Sequence, residues 1–178
     1  MCFFSNKKEI EELNAQIVKL KKDIEDYKQQ VKELKLLIDT NPPIKEPKRL
    51  ATLTSLEVYT ALQPHVSSLD IVHCTDKTYG ATSVTEAKKF SNETKVQARK
   101  WLAEQHDCDE FSFALMGYWN DGLEQFAFGI AWSATHAYNI MVDNNKQVWV
   151  VEPQSNKFMK IEDIKDDESY YPFEIILF

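Results

Sequence analysis

Three positions in the second half of the chain supply, in order, the chemical groups that a cysteine nucleophile needs. Cys108 offers a thiol, His136 an imidazole and Glu152 a carboxylate. A thiol near pH 7 is mostly protonated, and it becomes nucleophilic when an imidazole base or a positive environment favours the thiolate. The imidazole in turn needs an acceptor that holds its tautomer. The sequence therefore predicts a catalytic site in which Cys108 attacks, His136 transfers the proton and Glu152 orients the ring.

The apolar residues after Cys108 follow helical spacing, which predicts a helix that begins at this cysteine. Asp109 and Glu110 fall in its first turn, where the helix dipole favours acidic side chains. The free backbone N–H groups of a helix start stabilise a thiolate. An oxyanion formed during the reaction would be held by the Cys108 N–H and by a second donor, for which Gln105 and Gln154 are the candidates.

A β-hairpin is the element that would bring the imidazole and the carboxylate together. Residues 137–142 and 146–151 are rich in strand-forming types, and residues 143–145 between them have a turn composition. If these three residues form the loop, His136 lies opposite Glu152, with Cβ atoms about 4.5 to 5.5 Å apart. A two-residue turn at Asn144 and Asn145 would instead place the two side chains on different faces.

The first forty residues carry a heptad pattern. β-branched residues fill every a position and Leu fills most d positions, a choice typical of a parallel two-stranded coiled coil. A parallel pair would set Asp23 of one chain against Lys28 of the other, whereas an antiparallel pair would oppose lysines. A parallel trimer, or a helix folded back on its own chain, are the alternatives. The heptad positions are Ile10, Leu13, Ile17, Leu20, Ile24, Tyr27, Val31, Leu34 and Ile38.

The chain divides by composition into an oligomerisation helix over 1–40, a proline-rich linker over 41–49 and a domain over 50–178. In the domain, helical patterns come before strand patterns, so we expect an α+β fold with the cysteine-bearing helix packed on an antiparallel sheet. The patterns predict helices over 55–62, 85–90 and 94–105, a strand over 70–74 and a final strand over 173–178.

Charge and cysteine count exclude several classes of protein. The net charge is −7, and residues 50–178 hold 10 basic and 19 acidic side chains, which repel phosphates, so we expect no nucleic-acid partner. No apolar run reaches the roughly 18 residues of a membrane span, and the N-terminus lacks a signal peptide. The three cysteines form no CxxC pair, which indicates free thiols in a reducing, cytoplasmic compartment and no metal site.

The motifs around the three candidate residues resemble those of the papain-like and transglutaminase-like cysteine peptidase superfamily. They are most similar to the C-terminal domain of fungal ricin-type agglutinins and to related small phage proteins. The resemblance implies a cysteine peptidase or acyl-transfer enzyme that acts on a protein or peptide, with calcium possible as a cofactor. The motifs are Asp107-Cys108-Asp109-x-Phe111, Ala127-Phe128-Gly129, His136-Ala137-x-Asn139 and Glu152-Pro153-Gln154.

Other interpretations of the same residues stay open at this point. A lone cysteine is often a small buried hydrophobe, in which case Cys108 has no chemical role. A second class of function is a non-catalytic structural or attachment module of a virion with a degenerate site. Self-processing at the proline-rich linker is a third hypothesis. No sugar-binding repeat precedes the domain, so the resemblance does not imply lectin activity.

Overall fold

The structure, a computed structural model, describes residues 3–40, 44–102, 105, 107–122 and 125–178 and consists of two units, 1–43 and 44–178. The first unit is a single helix, α1 (Phe3–Thr40), of 38 residues. No glycine or proline interrupts this segment, so the backbone hydrogen bonds continue to its end. None of the described helices has an apolar stretch long enough to cross a membrane.

The heptad residues of α1 carry much of its exposed apolar surface. From Ile10 to Val31, the a and d side chains are 47% to 66% exposed. The side chains of Leu34 and Ile38 lie outside the described residues, as does the start of the predicted linker, 41–43. The helix predicted over 10–38 is confirmed, and its pairing with a second chain stays a prediction.

The second unit is built on a six-stranded sheet in the order β2-β8-β4-β5-β6-β7. The pairs from β8 to β7 are antiparallel, but β2 and β8 run parallel. The predicted α+β class is confirmed, whereas the purely antiparallel sheet is wrong because β8 enters the sheet beside β2 in the same direction. The strands are β2 (Val72–His73), β4 (Phe128–Trp132), β5 (Ala137–Val142), β6 (Val148–Glu152), β7 (Lys157–Lys160) and β8 (Ile175–Leu177).

A second, two-stranded sheet pairs β1 (Ala51–Thr54) with β3 (Thr78–Ala81) in antiparallel fashion. It joins the chain entering β4 through Gly80, whose N–H donates to the Gln125 carbonyl at 2.6 Å. The Gly80 carbonyl in turn accepts from the Ala127 N–H at 2.8 Å. The phenyl ring of Phe126 lies 3.3 Å from the point where a Cβ would project from Gly80, so this close approach favours glycine.

The described residues of this unit also form three α-helices: α2 (Ser55–Leu62), α3 (Val84–Glu93) and α4 (Cys108–Asn120). The helix predicted over 55–62 has the bounds of α2, where Thr54 and Glu57 form a capping box. The helix predicted over 94–105 is wrong, since only the short 3-10 turn Val96–Ala98 forms there. Lys95 has a φ of 58°, and this left-handed residue separates α3 from the turn.

The two faces of the six-stranded sheet pack into two apolar clusters. One face lies against α4 and joins Met141 and Val151 to Phe111, Leu115 and Trp119 of the helix. The other face carries Tyr138, Ile140 and Val150 against α2 and the chain that leads into β8. Alternate side chains of β5 and β6 therefore face different environments, as the pleat of a strand requires.

Candidate functional site

Cys108 is the first residue of α4 and is half-buried. Asp107 caps the helix, and its backbone N–H donates to the Glu110 carboxylate at 3.0 Å. The Ser112 hydroxyl donates to the Cys108 carbonyl at 2.7 Å, which ties the first turn together. The thiol thus lies at the end of the helix where free N–H groups favour an anion.

His136 and Glu152 form a direct hydrogen bond in a largely buried position. His136 Nε2 lies 2.7 Å from Glu152 Oε2, and the two side chains are 19% and 11% exposed. Because Nε2 is engaged by the carboxylate, Nδ1 is the ring nitrogen that can face a third group. The pair therefore orients the imidazole and sets its tautomer.

Two further donors hold the Glu152 carboxylate. The Tyr170 hydroxyl donates to Oε2 at 2.9 Å, and the Gln154 backbone N–H donates to Oε1 at 3.1 Å. Burial alone would raise the pKa of Glu152, but the hydrogen bonds from His136 and from the Gln154 N–H outweigh it and lower the pKa. A carboxylate kept charged in this way stabilises a positive imidazolium next to it.

Two tyrosines enclose the pair. The rings of Tyr138 and Tyr170 lie 5.6 and 5.3 Å from the imidazole of His136, and the Tyr138 hydroxyl donates to the Tyr170 carbonyl. Burial raises the pKa of both tyrosines, and the charge of Glu152 raises that of Tyr170 further. Both hydroxyls stay protonated near neutral pH, so Tyr170 remains a donor to the carboxylate.

The backbone of His136 is fixed by the turn that joins β4 to β5. The Ser133 N–H donates to the His136 carbonyl at 3.0 Å, and the Ser133 hydroxyl oxygen accepts from the His136 N–H at 3.2 Å. The same hydroxyl donates to the Ser169 carbonyl at 2.6 Å. Ser133 therefore ties the start of β5 to the segment that carries Tyr170.

The predicted hairpin register is wrong in detail. Asn139 pairs with Val151 and Val142 with Val148, and Asp143 N–H donates to the Gln147 carbonyl. The loop therefore lies one residue later than predicted. Beyond the Asn139–Val151 pair, the next two residues to face each other are Tyr138 and Glu152. The partner of Glu152 thus shifts by two residues, from His136 to Tyr138. Because side chains alternate along a strand, His136 and Glu152 stay on the same face and make contact diagonally. The Asp143 carboxylate causes the shift, since it accepts from the N–H groups of Asn145 and Gln147 at 2.8 and 2.9 Å.

Cys108 lies near the same end of the sheet as the His136–Glu152 pair. Asn139 anchors α4, because its Nδ2 donates to the Ser112 carbonyl at 2.9 Å and to the Gly129 carbonyl at 3.0 Å. One residue after Ser112 in the helix, the ring of Phe113 lies 5.9 Å from that of Trp132. Trp132 pairs with Ala137, the residue after His136.

The structure brings His136 and Glu152 together but does not join Cys108 to them. Helix α4 packs on the face of Met141 and Val151, whereas His136 and Glu152 share the surroundings of Tyr138 on the other side. Among the described residues, no hydrogen bond links the Cys108 thiol to His136. The thiol, at the start of α4, and the imidazole, beside the turn that precedes β5, lie toward the same end of the sheet.

The two predicted oxyanion donors, Gln105 and Gln154, use their backbone N–H groups elsewhere, and a role for their side chains stays a prediction. Gln105 is exposed, and its backbone N–H donates to the Leu102 carbonyl at 3.2 Å. Gln154 uses its backbone N–H on the Glu152 carboxylate. Gln154 thus supports the Glu152 carboxylate through its backbone.

A group of possible metal ligands surrounds the thiol. One ligand atom each of Asp107, Cys108 and Asp109 lies within 4.8 Å of the others, and all three residues are half-buried. Calcium takes six to eight oxygen ligands, and this group offers two carboxylates and a soft sulfur. These three side chains alone therefore do not fit calcium, the cofactor that the resemblance implied.

Three residues of this region were not singled out from the sequence. Tyr170 and Ser133 reach the site from segments that contain no recognisable motif, and only the folded chain brings them to Glu152 and His136. Asn139 stood within a quoted motif, and strand alternation places it on the face of the sheet opposite His136. Of the three cysteines, Cys74 and Cys108 are free thiols, and Cys2 lies outside the described residues.

The α+β fold of this chain is similar to that of two solved structures, one of which is a lectin. In a complex of PSL1a with E64, the match has a TM-score of 0.60 at 19% identity and covers 71% of this chain and 50% of that chain. In Polyporus squamosus lectin bound to the human-type influenza-binding epitope Neu5Aca2-6Galb1-4GlcNAc, the TM-score is 0.58 at 19% identity, and the match covers 71% of this chain and 49% of that chain. The chain spans about half the length of both, and at this identity the likeness concerns the fold alone. No family model and no curated protein matches the chain.

These comparisons correct the assignment predicted from the motifs. Membership of the papain-like and transglutaminase-like peptidase superfamily is overturned by the finding that the structures sharing the fold are lectin structures. The predicted cysteine peptidase or acyl-transfer function is therefore wrong as well, and the alternative of a phage or virion attachment module has no support. The protein or peptide substrate and the possible calcium cofactor lose the resemblance on which they depended.

Proposed function

We propose that Cys108, His136 and Glu152 act as one site, in which Cys108 is a reactive thiol that binds an electrophilic ligand covalently. The observation that carries this proposal is the 2.7 Å hydrogen bond between His136 Nε2 and Glu152 Oε2 in a largely buried position. Burying two ionisable groups costs free energy, and here two further donors are spent on keeping the carboxylate charged. What supports the proposal further is that a thiol on a helix start and an oriented imidazole are the two groups that thiol activation needs.

In the proposed reaction, the proton of the Cys108 thiol moves to His136 Nδ1, and Glu152 stabilises the imidazolium. The thiolate then attacks a carbon of the ligand, a C–S bond forms, and the bond between that carbon and its leaving atom breaks. The imidazolium returns the proton to a leaving oxygen or nitrogen. The transfer requires Cys108 Sγ to come within hydrogen-bond reach of Nδ1, and such contacts commonly tighten only when the ligand is bound.

The comparison with PSL1a supplies a probe for this proposal. That protein forms a complex with E64. E64 carries an epoxide, a carbon electrophile whose C–O bond a thiolate can open. We therefore expect E64 to alkylate this chain at Cys108, with the proton of His136 passing to the epoxide oxygen.

The test compares the rates at which E64 and iodoacetamide label each thiol at pH 6, followed by peptide mass mapping. Cys74 is the internal control, because burial raises the pKa of its thiol. We expect Cys108 to react at least about tenfold faster than Cys74, and His136→Ala to remove that advantage. Cys108→Ala should abolish E64 labelling. Equal rates at Cys108 and Cys74 in the intact protein would refute the proposal.

A second candidate function is carbohydrate binding, favoured by the lectin structure that holds a sialylated trisaccharide. Calorimetric titration of the full chain with Neu5Aca2-6Galb1-4GlcNAc tests it. Binding that survives Cys108→Ala and is absent for lactose would support carbohydrate recognition independent of the thiol. An absence of heat at millimolar trisaccharide would rule out this candidate for this chain.

We also propose that α1 joins two chains in a parallel coiled coil, or three in a parallel trimer. The support is the stripe of half-exposed a and d side chains on one uninterrupted helix. In a parallel pair, Asp23 faces Lys28 of the partner; within one helix, Lys28 Nζ also contacts Glu25 at 2.7 Å. Sedimentation equilibrium should give a dimer or trimer. Asp23→Lys should weaken association, and Asp23→Lys with Lys28→Glu should restore it. A monomer at 100 μM would contradict the proposal.

A further inference from the structure

A groove of about 370 Å³ opens beside β4 and β8, and its lining is mostly apolar. It lies on the face of the sheet that α4 occupies. Helix α4 packs over β4 and β5, so the neighbouring surface of β8 and β2 is left open. The lining residues are His73, Trp132, Ser133, Glu174, Ile175 and Leu177.

The apolar floor of the groove follows from strand pairing. Trp132 pairs with Ile175, and Ile130 with Leu177, so their side chains project to the same face of the sheet. Ile175 is 48% exposed, and Phe113 on the rim is 51% exposed while its ring lies 5.9 Å from that of Trp132. Neighbouring apolar side chains left open on a sheet face provide the surface that an apolar ligand can cover.

The polar groups of the groove favour a cation. The Ser133 hydroxyl is already bonded to the Ser169 carbonyl and to the His136 N–H, which leaves it little capacity for a ligand. The exposed Glu174 carboxylate has no ion-pair partner in the part of the chain that the structure describes. The domain also carries an excess of acidic side chains, which raises the local concentration of cations.

Two chain connections lead from the groove toward the site proposed above. Phe113 lies five residues after Cys108 on α4, which is about 7.5 Å along the helix axis. On the other side, the turn through Ser133 connects Trp132 to His136. A ligand whose apolar part occupies the groove can therefore extend a short chain toward the thiol.

We infer that this groove binds an alkyl group that ends in a cationic group, and that the same ligand presents its electrophilic carbon to Cys108. The inference rests on the proposed function of Cys108. Trp132, Ile175 and Phe113 would contact the alkyl chain, and Glu174 would pair with the cation. The groove would thereby select among electrophiles that react equally well with a free thiol.

The experiment measures the labelling rates of Cys108 and Cys74 at pH 8 by peptide mass mapping with three chloroacetamides: chloroacetamide itself, its N-hexyl derivative, and the N-hexyl derivative that ends in trimethylammonium. Each rate is divided by that for free cysteine. We expect the hexyl group to raise the ratio about tenfold through partial burial of the chain. The cation should add about a further threefold at low salt, and 0.5 M salt should remove that part.

Three variants test which residues produce the gains in labelling rate. Trp132→Ala should remove the hexyl gain, and Ile175→Ser, at a more exposed position, should reduce it if Trp132→Ala fails to fold. Glu174→Gln should remove the gain from the cation alone. Leu56→Ser is the matched control, since Leu56 is 72% exposed and lies on α2, outside the groove.

The outcomes separate the two proposals. Equal ratios for the three reagents, with Cys108 still more reactive than Cys74, would overturn the groove assignment and leave the thiol site standing. A Cys108 that reacts no faster than Cys74 with chloroacetamide would refute the thiol site and this inference with it. If the sialylated trisaccharide slows the labelling of Cys108 and hexyltrimethylammonium does not, the groove binds a sugar and the inference is overturned.

Discussion

Replacement of Glu152 by glutamine tests whether the carboxylate at the centre of the site contributes to folding through its charge. In the native chain the carboxylate accepts from His136 Nε2 at 2.7 Å, Tyr170 at 2.9 Å and the Gln154 N–H at 3.1 Å. Glutamine has nearly the same shape but offers one acceptor oxygen and an NH2 group. At least one of the three donors must therefore lose its partner.

The magnitude follows from these contacts. A hydrogen bond to a charged group contributes about 1.5 to 3 kcal/mol, so we expect Glu152→Gln to lower the free energy of unfolding at pH 7 by about 2 to 3 kcal/mol. The folded pKa of Glu152 lies below its ordinary value of about 4.3. Its stabilisation is therefore complete above that value and is lost as the pH falls through the folded pKa.

The measurement is urea unfolding followed by tryptophan fluorescence at pH 7, 5 and 3. All four tryptophans lie in residues 44–178, so the signal reports that unit. The difference between wild type and Glu152→Gln should be largest at pH 7 and should shrink by pH 3. Glu162→Gln, at an exposed position, serves as the matched control and should change stability by less than about 0.5 kcal/mol. A difference that is independent of pH would refute the charge-based reasoning.

Three further substitutions test the supports of the site, each by the same unfolding measurement. Gly129→Ala places a Cβ 2.1 Å from the Leu177 carbonyl oxygen, so β8 must shift and the free energy of unfolding should fall by about 2 to 3 kcal/mol. Gly117→Ala is the control: nothing lies within 4 Å of its added Cβ, and the change should be neutral or slightly stabilising. Asn139→Ala removes both donors that hold α4 to β4 and should cost about 3 kcal/mol, while a loss under 1 kcal/mol would deny the anchor. Asp143→Ala removes three hydrogen bonds that the carboxylate accepts at the β5–β6 turn, including that from Trp149 Nε1, and should lower the free energy of unfolding by about 2 to 3 kcal/mol. An unchanged urea midpoint would show that the turn does not need the carboxylate.

The local elements could be predicted from sequence because each depends on neighbouring residues. The helix that begins at Cys108 carries its acidic first turn and its apolar spacing within thirteen residues. The β5–β6 hairpin was predicted for the same reason, although its register was not. One carboxylate, that of Asp143, holds the loop one residue later than composition suggests, and no periodicity reports that choice.

The features that could not be predicted depend on contacts between distant segments. The parallel pairing of β2 with β8 joins Val72 to Ile176, and neither strand is longer than three residues. The same is true of Tyr170, which reaches Glu152 from a segment with no strand or helix pattern. The family assignment failed differently, since short motifs around three residues matched a superfamily while the fold comparison gave lectin structures.

The place of β8 in the sheet bears on how the protein is made. Residues 175–177 insert between β2 and β4, so the sheet has no continuous path from β2 to β5 until they arrive. A ribosome releases residues 72–73 and the hairpins of β4 to β7 well before β8, and domains fold as their segments emerge. Until β8 is made, the growing chain therefore has an open seam, defined as the gap between β2 and β4, and the edges of β2 and β4 that face this gap carry unpaired backbone groups. We expect a nascent chain arrested before residue 175 to bind chaperones at this seam, and one extended past 178 by a linker long enough to clear the tunnel to be released from them.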